Sequence, residues 1–325
     1  MAFARYTGKI RSLVLGLALG IVFFAHGCGS KKVPAPVGKT QPAAGSAHVV
    51  FWNTMSDGES QCVAPFIEKF QAENPGIAVT MEDVSFHQAQ KKFEQGMKAG
   101  VFPDVLRTDR FWIEGFVKAG LLEEIPVAEV KEELDDLLPI SRQVVEIDGK
   151  CWGVPHSIDC LGLFFNKSHF KDSSTRPPEN LDEFKTVAEK NTNASKGRYG
   201  FFMHPDSWWF EPFLFGFGGR YFDPSGQLSI HSDQTLKATH FLMDLKDTQH
   251  VMPPVNLRSN SYELMMQSFK SGQVSMIFNG PWAIREILDG PAFKEKTENL
   301  GVAMLPKGPA GRFSPVGCQS LVIPK

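Results

Sequence analysis

YELMMQSFKSGQVSMIFNGPWAI, residues 262 to 284, decides the class of fold. Tyr262, Leu264, Met265, Met266 and Phe269 recur at helical spacing, and Ser271-Gly272 stops the pattern. Val274 to Phe278 is an apolar run interrupted only by Ser275, as in a strand covered on both faces. Asn279-Gly280 makes a polar corner. Pro281 then suits the first position of a new helix, where its missing N–H has no partner anyway. Trp282 therefore stands at a helix N-terminus just past the carboxyl end of a core strand, where open α/β sheets bind ligands. Its ring either packs under that helix or offers a stacking surface.

The same alternation extends in both directions and gives an α/β class. His48 to Asn53 reads as a buried strand that ends in the polar corner Thr54 to Ser60. Val63, Phe66, Ile67 and Phe70 mark one face of a helix that stops at Asn74-Pro75-Gly76. Ile77 to Val84, a helix over Gln88 to Lys98, and a strand opened by Phe102-Pro103-Asp104 follow. A helix from Phe111 to Ala119 closes on Gly120. Asp148-Gly149 carries the signature of a tight hairpin. Asn180 and Glu183 have the spacing of a capping box for Leu181 to Lys190. Tyr199 to Met203 reads as a strand leading through His204 to Trp209 into a very apolar helix. Gly301 to Leu305 and Pro315 to Ile323 complete the strands, the last still running as the sequence stops at Lys325.

The amino-terminal residues read as an address, not as fold. Arg5, Lys9 and Arg11 precede an apolar stretch, Leu13 to Phe24, of the length of a signal h-region. That stretch is short of the roughly 20 residues a spanning helix needs. It closes on Ala25-His26-Gly27-Cys28, which resembles the lipobox of bacterial lipoproteins, although His26 departs from the usual residue there. Residues 1–27 are thus expected to be a lipoprotein signal peptide and Cys28 the lipidation site. Residues 28–47, rich in Pro, Ala and Gly, are expected to be a flexible tether.

Lys and Arg number 34 against 36 Asp and Glu, for a net charge of −2, so no basic surplus points to nucleic acid. Twenty-seven Phe and six Trp favour large cores and apolar pockets. After Cys28, four cysteines remain: Cys62, Cys151, Cys160 and Cys318. An even count in an exported chain permits disulfides in three connectivities. Cys151 and Cys160 lie roughly 30 Å apart on extended chain, beyond bridging reach. Buried free thiols are the expectation. No Cys or His spacing of a zinc site occurs, and no metal or cofactor is expected.

Several ordered blocks together resemble the family 1 extracellular solute-binding proteins. They are Phe66-Ile67-Glu68-Lys69-Phe70 with Asn74-Pro75-Gly76-Ile77, then Phe102-Pro103-Asp104-Val105 with Asp109-Arg110 and Gly120-Leu121-Leu122. Asp148-Gly149-Lys150 through Val154-Pro155 to Phe165-Asn166-Lys167 follows. Phe269-Lys270-Ser271-Gly272 to Asn279-Gly280-Pro281-Trp282 and Leu305-Pro306 complete the set. The resemblance implies a two-lobed periplasmic-binding-protein-like fold of type II, joined by hinge strands. Lobe one is expected over 48–156 plus 306–325, and lobe two over 157–305. In the family, further helices complete lobe two, so that lobe is expected to be incomplete and the sequence a fragment or a truncated form.

By the same resemblance the chain is expected to be a lipid-anchored, monomeric receptor of an ABC importer. It would bind a sugar or oligosaccharide between the lobes and deliver it to permease subunits, outside the cytoplasmic membrane or in the periplasm. Closure on ligand is then a two-state hinge motion. The expected ligand contacts are Ser56, Asp57, Asp109, Arg110, Asp159, Asp206, Trp208 and Trp282, with Trp209 and Phe210 facing the core. Acidic side chains suit vicinal hydroxyls, and aromatic floors suit the apolar face of a sugar ring. No Trp precedes Asp109-Arg110, so one aromatic wall is expected to be missing. An exported glycoside hydrolase using Asp159 and Asp206 is the alternative, as is a sensor or scaffold lipoprotein. Against a hydrolase, no GxSxG or HExxH appears.

Overall fold

The structure, a computed structural model, describes residues 47–254 and 260–325. The segment expected to be a signal peptide, Cys28 and the expected tether up to residue 46 lie outside the described residues. Two units emerge. The first runs to Ile158 and resumes over Gly317–Lys325, and the second is Asp159–Val316.

The first unit is built on a five-stranded sheet. Strand β1 (Ala47–Asn53) pairs in parallel with β2 (Ile77–Asp83) along its whole length, from Ala47 opposite Ile77 to Asn53 opposite Asp83. On its other side Phe51 meets Val105 of β3 (Val105–Asp109), again parallel. The connections are helices α1 (Asp57–Glu73) and α2 (Phe86–Ala99), with α3 (Arg110–Lys118) following β3. Every residue of β3 is buried, as a strand covered on both faces requires. Phe93 of α2 and Phe116 of α3 meet edge to face, ring centres 4.8 Å apart, and anchor that layer. Gly100 closes α2 in the left-handed region. Short helices α4 (Lys131–Asp135) and α5 (Pro139–Val145) lead to the hairpin of β4 (Glu146–Ile147) and β5 (Lys150–Cys151), turned by Asp148 and Gly149 at positive φ. The sheet is completed by β6 (Val154–Cys160) and, placed between β3 and β6, the chain's last strand.

The second unit carries a four-stranded sheet. Strand β7 (Gly162–Asn166) leads into α6 (Lys167–Asp172) and α7 (Leu181–Asn191), and β8 (Tyr199–Phe202) into α8 (Ser207–Gly216). Helix α9 (Asp233–Met243) continues as a π-helical turn over Asp244–Thr248. Then come α10 (Ser261–Lys270), β9 (Val274–Asn279), α11 (Ile284–Leu288) and β10 (Leu300–Ala303). All six residues of β9 are buried, so the run that decided the fold class is the central strand it reads as. Phe184, Phe201, Phe213 and Phe278 form its core, with Phe213 and Phe278 stacked 5.3 Å apart.

The chain passes between the units within β6, at Ile158 to Asp159, and again at the start of β11 (Val316–Val322). Residues 306–316, expected in lobe one, stay with the second unit. Lys307 donates its N–H to the Glu179 carbonyl at 2.8 Å and accepts from Leu181 at 3.1 Å, while Ala310 donates to Gly216 at 2.9 Å. Strand β11 closes at Val322 instead of running to the last residue. The four cysteines Cys62, Cys151, Cys160 and Cys318 are unbridged, but only Cys151 and Cys318 are buried; Cys62 and Cys160 are exposed. Among the described residues no helix is long and apolar enough to cross a membrane.

Candidate functional site

In the first unit the expected contacts gather where β1 and β3 end. Asn53 closes β1 and organises the corner that follows. Its amide donates to Ser60 Oγ at 2.6 Å and to Asp83 at 2.8 Å, and its carbonyl accepts from the Met55 N–H at 3.0 Å. Ser56 then caps α1. Its hydroxyl receives the Glu59 N–H, and the Glu59 carboxylate receives the Ser56 N–H at 2.8 Å. This is a complete capping box, legible in the sequence as Ser-x-x-Glu and missed there. Ser56 and Asp57 are both exposed.

Asp109 ends β3 and is only 8 % exposed. One carboxylate oxygen accepts from the Phe111 N–H at 2.9 Å, capping α3, and the other accepts from Gln319 Nε2 at 2.8 Å. Gln319 stands directly opposite Asp109 in the β3–β11 register. Burial pushes the Asp109 carboxyl above its ordinary range, against the opposing pull of the Phe111 N–H, Gln319, Arg110 and Arg107. Arg110 lies over the Phe111 ring, 4.9 Å from its centre, and Phe111 is 61 % exposed. The residue immediately after Asp109-Arg110 is thus an exposed aromatic, where the sequence has no Trp before the pair.

In the second unit the register brings another set together. Gly162 at the start of β7 pairs with Asn279 at the end of β9, and β8 runs parallel to β9. The start of β7, the turn after β8 and the turn after β9 thus share one end of the sheet, while Asp159 lies three residues earlier, within β6. Asp206 is exposed and caps α8 by accepting the Trp208 N–H at 2.9 Å. Trp208 is half-buried, and Trp209 is pinned by its indole N–H to the Phe278 carbonyl at 2.9 Å. Trp209 is thus fixed to the core strand, as the sequence suggests.

Trp282 sits on a single 3-10 turn, Pro281–Ala283, ahead of α11. Its indole N–H donates to the Tyr262 hydroxyl at 3.0 Å. Its six-membered ring lies across Gly280, where an added Cβ would come within 1.8 Å of the ring. Tyr262 in turn lies 5.7 Å from Trp209 and 5.9 Å from His204, centre to centre. His204 is held by Ser261 Oγ at 2.7 Å. Trp282 is therefore partly buried, packed against the core of the second unit on a ring that Gly280 and Tyr262 hold in place.

Aromatic faces are fixed by their N–H groups, and carboxylates and hydroxyls flank them on helix N-termini. Among the described residues no group of three or more His, Cys, Asp or Glu is placed to hold a metal ion.

Known proteins share this layout. The profile of the family described as bacterial extracellular solute-binding protein matches residues 53–325. The maltotriose-binding protein of Pyrococcus abyssi is 26 % identical over 269 residues, which is 82 % of this chain but only 55 % of that protein's length. The GacH receptor of Streptomyces glaucescens, solved unliganded and with acarbose, superposes with a TM-score of 0.77 at 31 % identity, covering 86 % of this chain and 71 % of its own. The maltose-bound MalE3 of T. maritima gives a TM-score of 0.77 at 25 % identity, covering 86 % and 73 %. With most of its length matched in order by that profile, the chain belongs to the bacterial extracellular solute-binding proteins.

Proposed function

We propose that the chain is the saccharide receptor of an ABC importer. The observation that carries this reading is the fixed aromatic group Trp282–Tyr262–Trp209, flanked by the exposed Asp206 and half-buried Trp208 at one edge of the second unit's sheet. Pyranose rings have an apolar face and a hydroxyl rim, and this combination of flat rings and acidic edges suits them. The three relatives named above bind maltotriose, acarbose or maltose, which supports the same class of ligand here.

Trp282 and Trp208 are then the stacking surfaces, and Asp159 and Asp206 the acceptors for hydroxyls. Ser56, Asp57 and Arg110 contribute from the first unit. Asp109 joins them through the lone pairs its two internal bonds leave over. The solute lies between the lobes, and closure on it presents the receptor to permease subunits. Cys28 carries the lipid that keeps the monomer at the outer side of the cytoplasmic membrane or in the periplasm. The receptor binds its solute and does not turn it over.

Thermal unfolding with a saccharide panel tests this reading. A ligand at a hundredfold over its dissociation constant adds ~2.7 kcal/mol to a protein that binds only in the folded state. A shift with maltotriose that Trp282→Ala abolishes is the expected result. Hydrolysis of a glycoside by the pure protein, or no shift with any saccharide, overturns it. Loss of membrane retention in Cys28→Ser tests the anchor separately.

A further inference from the structure

Arg107 is the buried charge that the solute reading leaves without a task. It lies on β3 with its side chain only 5 % exposed. An arginine does not discharge when buried, so the fold must supply it with partners. Its Nε donates to Nε2 of His156 on β6 at 2.8 Å. Its Nη1 donates to the Thr54 carbonyl at 3.2 Å and the Thr54 hydroxyl at 3.0 Å. Its Nη2 reaches Glu59 Oε1 at 3.3 Å. The Thr54 hydroxyl donates back to the Arg107 carbonyl at 3.2 Å.

The other oxygen of Glu59 receives both the N–H and the hydroxyl of Ser56, at 2.8 and 2.9 Å. Thr54, Ser56 and Glu59 are therefore all tied to one guanidinium, directly or through a single intermediate group. His156 accepts at Nε2, so its proton rides on Nδ1. Burial, reinforced by the adjacent Arg107 charge, keeps that ring neutral. A charged Arg107 and a neutral acceptor His156 thus form a permanent pair. That pair joins the corner after β1 to the strand that leaves the first unit.

We propose that Arg107 is the positioning residue of the Thr54–Glu59 corner. It holds Ser56 and Asp57 in one geometry for the solute and fixes that corner to β6. The proposal rests on the solute-binding reading. Stability alone does not explain the network, since a buried ion pair is often no better for the fold than apolar residues of the same volume. Pre-ordering a contact loop does explain it, because a loop fixed in advance loses less freedom on binding.

Hydrogen exchange on the full chain, combined with maltotriose titration, tests the proposal. In Arg107→Met, the amides of residues 55–60 should exchange at least ~10-fold faster while those of β1 and β3 stay at wild-type rates. Maltotriose affinity should fall at least ~10-fold. Arg107→Lys, which keeps a charge but not the fork, should restore only part of both losses. Should Arg107→Met not fold, Glu59→Gln carries the same test from the loop side. Equal acceleration in corner and core strands overturns the proposal, as does a loosened corner with unchanged affinity. If the wild-type chain does not bind maltotriose, the saccharide reading fails on its own, and selective loosening of the corner then decides the positioning role.

Discussion

Trp282 donates its indole N–H to the Tyr262 hydroxyl at 3.0 Å, tying the turn after the central strand β9 to the helix that precedes it. Burial raises the Tyr262 phenol above its ordinary range, so it stays a neutral hydroxyl at any physiological pH. Tyr262→Phe removes the acceptor and leaves the ring in place. One neutral hydrogen bond contributes about 1 kcal/mol, so maltotriose affinity should weaken about fivefold. Trp282→Ala should lose binding altogether. Isothermal titration of both variants checks this, and equal losses in the two would sink the idea that Tyr262 acts only by orienting the indole.

Gly280 is required by the same ring. A Cβ there would stand 1.8 Å from the six-membered ring of Trp282, and indole is too rigid to yield cheaply. Its φ of −113° imposes no left-handed strain, so the whole effect of Gly280→Ala is steric. Overpacking of this kind costs about 1–3 kcal/mol. The expected result is a lower unfolding midpoint together with an altered near-ultraviolet tryptophan signal. An unchanged signal would mean that the ring does not lie across Gly280.

On the proposed saccharide reading, exposed Phe111 beside Arg110 is a further candidate stacking surface in the first unit. It is 61 % exposed, so Phe111→Ala should leave the unfolding midpoint unmoved. A lost ring-stacking contact is worth about 1 kcal/mol, or roughly a fivefold weaker affinity for maltotriose. Phe111→Tyr, which keeps the ring, should bind as wild type. Wild-type affinity in the alanine variant would remove Phe111 from the site.

The class of fold is legible in the sequence because its strands are covered on both faces. Val274 to Phe278 has no solvent side and shows as a short, mostly apolar run between Ser271-Gly272 and Asn279-Gly280, whereas Val105 to Asp109, also buried throughout, carries Arg107, Thr108 and Asp109 and is legible only from its opening Val105-Leu106. The helix stops at Gly100 and Gly120 are legible for a related reason, since both take positive φ. Trp282, Asp206 and Trp208 stand out in the sequence because they follow strand ends. Arg107 and His156 could not, because nothing in local sequence tells that residues on β3 and β6 meet across an intervening strand. The fate of 306–316 was hidden likewise, since hydrogen bonds to Glu179 and Leu181 hold it to the second unit.

Asp109 caps α3 from a buried position that raises its carboxyl pKa. A raised folded value favours the fold below the unfolded value near 3.8, and that advantage is lost as pH rises through the folded value. At neutral pH the ionised group is therefore a burden on stability. Asp109→Asn keeps an oxygen for the Phe111 N–H, and the unpartnered Gln319 Oε1 can turn to accept from the new amide. The variant should be at least as stable as wild type at pH 7, with the advantage gone below pH 3.8. Urea unfolding at the two pH values checks this, and lower stability at pH 7 would show the charge to be a net stabiliser.

His169 sets an acid limit on the second unit. Its Nδ1 lies 3.0 Å from Ser275 Oγ, and burial, with Arg198 adding to it, lowers its pKa to about 4. The ring is thus neutral in the fold. Its contribution is complete above the unfolded value of about 6.5 and is lost as pH falls from there toward 4. At ~1.4 kcal/mol per pH unit, the loss across that window approaches ~3 kcal/mol. His156 is also held neutral by burial and loses stability in the same direction, so the wild-type curve alone does not isolate His169. Comparing wild type with His169→Gln does, because the amide has no charge to gain. The difference in unfolding free energy between the two should shrink or reverse by up to ~3 kcal/mol from pH 7 to pH 4. Parallel curves would mean that His169 charges without penalty and that its burial is not what limits the fold in acid.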